Sequence, residues 1–245
     1  MTHLLRGTAL CGALLAALPA AAQQFAGGQI DLDYTTYDDL DIDSLSGRLS
    51  GELAISRGFS LQGDLFGSSD GSGGSDDRFS GGGVTFHGLN HVSATSSVGG
   101  FTTIERNEGG ENIRSLGVEA GGNFGTVGTE IWFALSDGPN DFDGYFGGLD
   151  VRVPFGLASV TGSLEYFNFE DQIEVGKFGI GVDYAAAEGV TIGGRIQNAN
   201  ITLTSEDGDF SIDGDDLAVS VGATFRFGKR PGTVFGQRSL LDAFR

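Results

Sequence analysis

The strongest constraint on this chain is an alternation of apolar and polar residues with a period of two. Ile30 and Leu32 alternate with Asp31 and Asp33, as in a strand whose successive side chains point to opposite faces. The pattern recurs often enough to predict an all-β fold of about twelve strands. The predicted strands are 28–37, 44–56, 59–66, 79–88, 91–104, 113–124, 127–136, 146–155, 158–168, 175–184, 190–203 and 216–228.

The connections between these segments alternate in length. Five are short: Arg57-Gly58, Leu89-Asn90, Gly125-Thr126, Gly156-Leu157 and 185–189. Six are longer: 38–43, 67–78, 105–112, 137–145, 169–174 and 204–215. Antiparallel strands joined in this way have tight turns at one end and loops at the other, which is typical of outer-membrane barrels. Ten strands would follow if segment 91–104, which Ser, Thr and Gly dominate, merged with its partner into a loop; a count above twelve also stays open.

Charged residues within the segments share one face. Ten acids lie opposite the apolar phase: Asp31, Asp33, Glu52, Asp64, Glu119, Glu130, Asp150, Glu165, Asp183 and Asp216. Five bases share their phase, namely Arg48, Arg152, Lys177, Arg195 and Arg226, and only Arg114 falls on the apolar one. A soluble β-sandwich would bury the apolar face, whereas a membrane barrel turns it to lipid and the charged face to the lumen. The period alone does not choose between them.

Segment length and aromatic placement favour the membrane. The segments are close to the ~9–11 residues that a tilted transmembrane strand needs. Aromatic residues gather at both ends, as in the girdles of membrane barrels. Those at the loop end are Tyr34, Tyr37, Phe79, Tyr145, Phe146, Tyr166 and Phe178, and those at the turn end are Phe59, Phe124, Phe155, Tyr184, Phe225 and Phe227.

Residues 1–22 have the features of a secretory signal peptide. Arg6 precedes a short apolar stretch, which is followed by three small residues, Ala20 to Ala22. Removal of this leader would also remove Cys11, the only cysteine, so disulfides are not expected. The net charge of −19 repels phosphate backbones, so nucleic-acid binding is not expected either. We therefore predict an exported protein.

The sequence resembles the Gram-negative outer-membrane porins. The resemblance rests on the leader, the first strand Gly28-Gln29-Ile30-Asp31-Leu32-Asp33-Tyr34, the repeated amphipathic hairpins and the late strand Ala223-Thr224-Phe225-Arg226-Phe227. It implies a closed antiparallel transmembrane barrel, often trimeric, that lets small hydrophilic solutes diffuse across the outer membrane. Lipid and lipopolysaccharide would surround it. Typical porins have sixteen strands and end on an aromatic residue, whereas this chain continues past Phe227.

Three regions follow from this resemblance: a signal peptide over 1–22, a barrel over 23–228 and a basic periplasmic tail over 229–245. We predict that the pore-lining residues are Arg48, Glu52, Asp64, Glu130, Asp150, Arg152, Glu165, Lys177, Asp183, Arg195 and Arg226. Opposed charges of this kind orient solutes in porin constrictions. The alternative is that they pair with one another and close a narrow barrel, giving a non-conducting structural or adhesive protein. Because the wall and the loops are net acidic, any conductance should favour cations.

Other chemistry has little support in the sequence. His87 and His91 lie in the polar phase beside the predicted turn at Leu89-Asn90, away from the outer rim where a lipase would place its base. Two histidines without a thiolate make a weak metal site. The acidic stretches 137–144 and 207–216 do not match the calcium-loop pattern. We therefore expect no enzyme, no metal and no cofactor.

Overall fold

The computed structural model describes residues 24–38, 42–72, 78–106, 110–139, 143–169, 173–204, 211–229, 235–240 and 242. The predicted signal peptide lies outside these residues and stays a prediction. Within them, no helix is long and apolar enough to cross a membrane.

Twelve antiparallel strands close into a single barrel, as the sequence predicted. In chain order they are β1 (Gln24–Tyr37), β2 (Ile42–Ala54), β3 (Phe59–Ser72), β4 (Arg78–His91), β5 (Ser96–Arg106), β6 (Asn112–Phe124), β7 (Val127–Asp137), β8 (Gly144–Phe155), β9 (Ala158–Phe169), β10 (Ile173–Ala187), β11 (Val190–Thr204) and β12 (Ser211–Phe227). Each strand pairs with its neighbours in sequence, and β1 pairs with β12 from Gly28↔Phe227 to Tyr37↔Ala218. This closure leaves no free edge, as a membrane requires.

One predicted turn lies elsewhere in the structure. Leu89-Asn90 was expected to be a turn, but β4 continues through it to His91 and the turn is at 92–95. Hydroxyl chemistry explains the position, because the Thr95 N–H donates to Ser93 Oγ at 3.2 Å. Ser and Thr favour such local bonds over strand pairing. The prediction of a strand over 91–104 was therefore shifted, and β5 extends into the predicted loop as far as Arg106.

The apolar phase of the strands faces outward. Leu116 is 70% exposed and Leu45 is 59% exposed, whereas Glu52 and Asp64 on the opposite phase are buried inside the barrel. A soluble barrel would have the reverse arrangement, since a continuous apolar exterior is unfavourable in water. The barrel is therefore of the transmembrane type, with its charged face toward the lumen.

The aromatic girdles are largely as predicted. All six residues assigned to the turn end are exposed, and so are Tyr34, Tyr145, Tyr166 and Phe178 at the loop end. Two assignments were wrong: Tyr37 and Phe146 point inward and are buried. Their odd or even position in the strand already places them on the charged phase. The side chain of Phe79 lies outside the described part.

Large side chains of the lumen lie across glycines on the neighbouring strand. Trp132 covers Gly148, its partner in the β7–β8 pair, and Phe101 covers Gly117 in the β5–β6 pair. A Cβ at Gly148 would overlap the Trp132 ring and lie 2.8 Å from the Leu164 carbonyl oxygen. Glycine within these strands therefore makes room for the large aromatic side chains that point into the lumen.

Candidate functional site

The described part of the C-terminal segment lies inside the barrel. β12 ends at Phe227 beside the tight turns, and the chain returns into the lumen at residues 235–240 and 242. Phe235, Arg238, Ser239 and Leu240 are each at most 3% exposed. The sequence suggested a tail outside the barrel. The alternation pattern did not show that side chains of the lumen bond this tail. The boundary at residue 228 stays a prediction.

Arg238 is the most densely bonded residue of this segment. Its Nε donates to Glu119 Oε2 at 3.2 Å, and its Nη2 pairs with Glu130. Its guanidinium carbon lies 4.1 Å from the centroid of the Trp132 ring, within the range of a cation–π interaction. Burial lowers the pKa of Arg238 to about 10, so it stays charged at neutral pH.

Wall side chains hold the backbone of the segment at both of its ends. Gln62 bonds both sides of Phe235, since its Nε2 donates to the carbonyl at 2.9 Å and its Oε1 accepts from the N–H at 3.2 Å. Glu105 accepts from the Leu240 N–H at 2.8 Å and from the Ser239 hydroxyl. These bonds satisfy backbone groups that would otherwise be buried without partners.

Two further wall residues bond the middle and the end of the segment. Thr103 Oγ1 donates to the Arg238 carbonyl oxygen at 3.0 Å. On the opposite side of the lumen, Lys177 donates to the carbonyl oxygen of Asp242. The segment therefore touches walls far apart in sequence and reaches across part of the lumen.

A buried histidine continues the charge network behind Arg238. His87 Nδ1 lies 2.7 Å from Glu119 Oε1, and His87 Nε2 lies 3.1 Å from Asp64 Oδ2. All three side chains are fully buried. Alternating bases and acids thus run from Asp64 through His87, Glu119 and Arg238 to Glu130. Such networks are stable when every member is satisfied.

Neither histidine is placed for chemistry on lipid. His91 bonds the hydroxyls of Ser60 at 2.9 Å and Ser97 at 2.8 Å. Ser60 is fully buried and faces the lumen, so the serine and histidine are remote from the lipid-facing surface. Among the residues that the structure describes, no group of three or more His, Cys, Asp or Glu side chains could hold a metal ion.

An apolar cluster fills the lumen between β5 and β10. Trp132 and Phe146 belong to it, and Leu240 of the C-terminal segment packs into it. Its other buried members are Phe101, Ile113, Ala134, Phe167, Phe169 and Val175. One side of the barrel is thus packed like a protein core, and solutes have no room there.

Described residues line two cavities in the part of the lumen that the apolar cluster leaves open. One, of about 370 Å³, reaches Tyr37 and Ser44 near the loop end; the other, of about 770 Å³, reaches Arg57 and Asn123 at the turn end. Both cavities are lined by Asp31, Arg48, Thr161, Glu165, Arg195 and Gln237. They therefore adjoin each other beside the C-terminal segment.

The predicted pore-lining residues divide into two groups. Eight border one or both cavities: Arg48, Glu130, Asp150, Arg152, Glu165, Lys177, Asp183 and Arg195. The other three border neither cavity: Glu52 and Asp64 are buried among wall side chains, and Arg226 Nη1 donates to Thr191 Oγ1 at 3.0 Å. Arg152 and Asp183 form an ion pair within the first group.

Sequence reasoning missed the residues that hold the C-terminal segment. Gln62, Thr103, Glu105, Trp132 and Arg238 were not among the predicted site residues. One signal was present, because Trp132 lies on the charged phase of its strand, next but one to Glu130. A bulky aromatic on that phase predicts a partner inside the lumen.

Comparisons with known proteins agree with this architecture. No family model and no curated protein matches the sequence. Among solved structures, the KdgM porin matches with a TM-score of 0.58 and 12% identity over 81% of this chain and 99% of that chain. The NanC porin matches with a TM-score of 0.55 and 8% identity over 81% and 100%.

A third solved structure has another activity. The outer membrane phospholipase A from Escherichia coli matches with a TM-score of 0.51 and 13% identity over 82% of this chain and 92% of that chain. At such identities the likeness establishes the fold alone. The protein is therefore a transmembrane β-barrel, and its fold is that of the small outer-membrane porins.

Proposed function

We propose that this protein is an outer-membrane channel through which small hydrophilic solutes diffuse, with a preference for cations. The two adjoining cavities carry the proposal, because together they extend from near the loop end to the turn end of the lumen. Their lining is polar and charged, as a wet passage requires. The porin fold of the KdgM and NanC matches supports the same function.

Charge at the loop end supports the cation preference. The charged residues bordering the cavities are nearly balanced, with seven Asp or Glu against six Lys or Arg. The sequence connections assigned to the loop end hold 21 of the 33 acids and only two bases. An acidic mouth concentrates cations and repels anions. We therefore assign selectivity chiefly to the mouth and orientation of the solute to the passage.

The same charges limit the class of solute. The KdgM porin has also been solved in complex with disordered oligogalacturonate, an acidic saccharide. A polyanion would be repelled by the acidic mouth of this barrel. We therefore propose that its solutes are small neutral or cationic molecules. In this proposal outer-membrane lipid and lipopolysaccharide cover the exterior; a homotrimer stays a prediction of the resemblance.

A second function has its own support. The apolar cluster and the C-terminal segment fill one side of the lumen, which favours a closed barrel with a structural or adhesive role. The two functions differ in one measurable property, because only the first passes current.

Replacement of Arg195 by Gln tests whether the cavities form the conducting path. Arg195 borders both cavities, so its neutralisation should raise the cation-to-anion permeability ratio about sevenfold, since a local potential change of about kT raises the cation concentration and lowers the anion concentration by a factor of about e each. The measurement is the reversal potential in a planar bilayer under a salt gradient.

The matched control is Arg114→Gln, which makes the same chemical change on the exposed outer face of β6. Its reversal potential should equal that of the unmodified protein. Equal reversal potentials for Arg195→Gln and Arg114→Gln would show that Arg195 does not line the conducting path. The two cavities would then not be the path of the current.

A further inference from the structure

The C-terminal segment is held as a peptide ligand is held, by side chains of a preformed wall. The wall partners of residues 235–240 come from five consecutive strands, with Gln62 on β3, Thr85 on β4, Thr103 and Glu105 on β5, Glu119 on β6 and Glu130 on β7. In each hydrogen bond described above, the wall contributes a side chain and not its backbone. Departure of the segment therefore breaks none of the strand pairs that close the barrel.

The wall also distinguishes one side chain of the segment from the others. Arg238 enters a pocket made by Glu119, Glu130 and the face of Trp132. A planar guanidinium suits this pocket because it pairs with carboxylates and stacks on an aromatic ring at the same time. Neither an apolar nor an acidic side chain could satisfy the two carboxylates.

Two apolar residues flank this arginine and anchor the segment. Phe235 is 2% exposed, and Leu240 is 1% exposed and packs into the apolar cluster. Hot spots of protein interfaces are likewise enriched in arginine and lie in well-packed, desolvated pockets, as Arg238 does here. The segment is also tethered to β12 by only seven residues, 228–234. A short tether gives a high effective concentration and keeps the site filled.

We propose that the β3–β7 wall of the lumen is a peptide-binding site, and that residues 235–240 are its tethered, displaceable ligand. The ligand class is an extended peptide with an arginine between bulky apolar residues. The effect on conduction rests on the proposed channel function. A seated segment narrows the lumen, and its release widens the lumen.

The first test measures whether the segment is seated and whether Arg238 holds it. A cysteine introduced as Ser239→Cys would be the only cysteine after residue 22, in a position that is 3% exposed. It should react slowly with a maleimide in the folded full-length barrel. Adding Arg238→Glu sets a third carboxylate against Glu119 and Glu130, so the rate should rise at least about tenfold.

Control variants separate seating of the segment from general disturbance of the lumen. Arg226→Glu makes the same charge reversal at a wall residue of β12 that borders neither cavity and bonds Thr191, and it should leave the labelling rate of the Ser239→Cys chain unchanged. Leu240→Cys repeats the measurement at a second buried position. Fast labelling with Arg238 intact, or no acceleration by Arg238→Glu at both positions, would overturn the proposal. Heat-modifiable mobility on gels shows that each variant is folded.

The second test supplies the ligand from outside. A fluorescent peptide of residues 235–242, Phe-Gly-Gln-Arg-Ser-Leu-Leu-Asp, should bind the full-length Arg238→Glu barrel, and its anisotropy reports binding without any conductance. The same peptide with Glu in place of Arg should not bind. Equal binding of the two peptides would overturn the site.

Conductance separates this proposal from the channel function. If both hold, Arg238→Glu should pass more current than the unmodified barrel, and the arginine peptide should reduce it. If labelling and peptide binding behave as expected while every variant is silent, the peptide site stands and the channel function fails.

Discussion

A chain with Gly148→Val is expected to fail to assemble into the barrel. The new Cβ would overlap the Trp132 ring and lie 2.8 Å from the Leu164 carbonyl oxygen. The indole cannot move aside without losing its contact with Arg238, so the clash must distort the pairing of β8 with β7 and β9. Overpacking of this kind costs typically about 1–3 kcal/mol and more when the backbone is the obstacle. The measurement is the heat-modifiable fraction after refolding into detergent.

Gly176→Val is the matched control for this prediction. Gly176 also lies within a strand, β10, but a Cβ there meets no atom within 4 Å. Valine suits a strand better than glycine does, so this variant should assemble as well as the unmodified chain. Equal yields of folded barrel from both variants would show that Trp132 does not occupy the space over Gly148.

His87→Leu should lower the free energy of unfolding by about 3 kcal/mol or more, because a buried ionic group loses its partner. The substitution removes the 2.7 Å bond to Glu119 and the 3.1 Å bond to Asp64, leaving two buried carboxylates with fewer partners. Urea titration of the barrel refolded into lipid vesicles measures the change.

His91→Leu serves as its comparison. His91 is less buried and bonds only hydroxyl groups and a carboxylate 3.6 Å away. Loss of neutral hydrogen bonds costs about 1 kcal/mol each, so we expect a smaller effect than at His87. If the two variants were equally stable, the buried network around His87 would not contribute as described.

The fold could be predicted from the sequence because both of its determinants are local. Period-two alternation defines strands, and alternating connection lengths define an antiparallel barrel with dissimilar ends. The phase of the charges told which residues share a face, and Arg195 and Asp183 do lie on the inner one. Local patterns also misplaced the turn after β4. Leu89 and Asn90 were assigned to a turn, but in the structure they pair with β5.

The contents of the lumen could not be predicted in the same way. Whether Asp64 borders water or a histidine depends on pairing among β3, β4 and β6, which the alternation does not specify. The position of Arg238 depends on a long-range return of the chain into the barrel. The available signal was the position of Phe101, Trp132 and Phe146 on the charged phase. Large aromatic side chains on that phase indicate that part of the lumen is packed and not filled with water.

Single-channel recording of the refolded chain in a planar bilayer under a salt gradient tests the central claim most directly. We predict small, steady and cation-selective current steps, which become larger when Arg238→Glu releases the C-terminal segment. A barrel that is heat-modifiable and protease-resistant, yet silent in both forms, would contradict the channel and leave the closed structural barrel as the function.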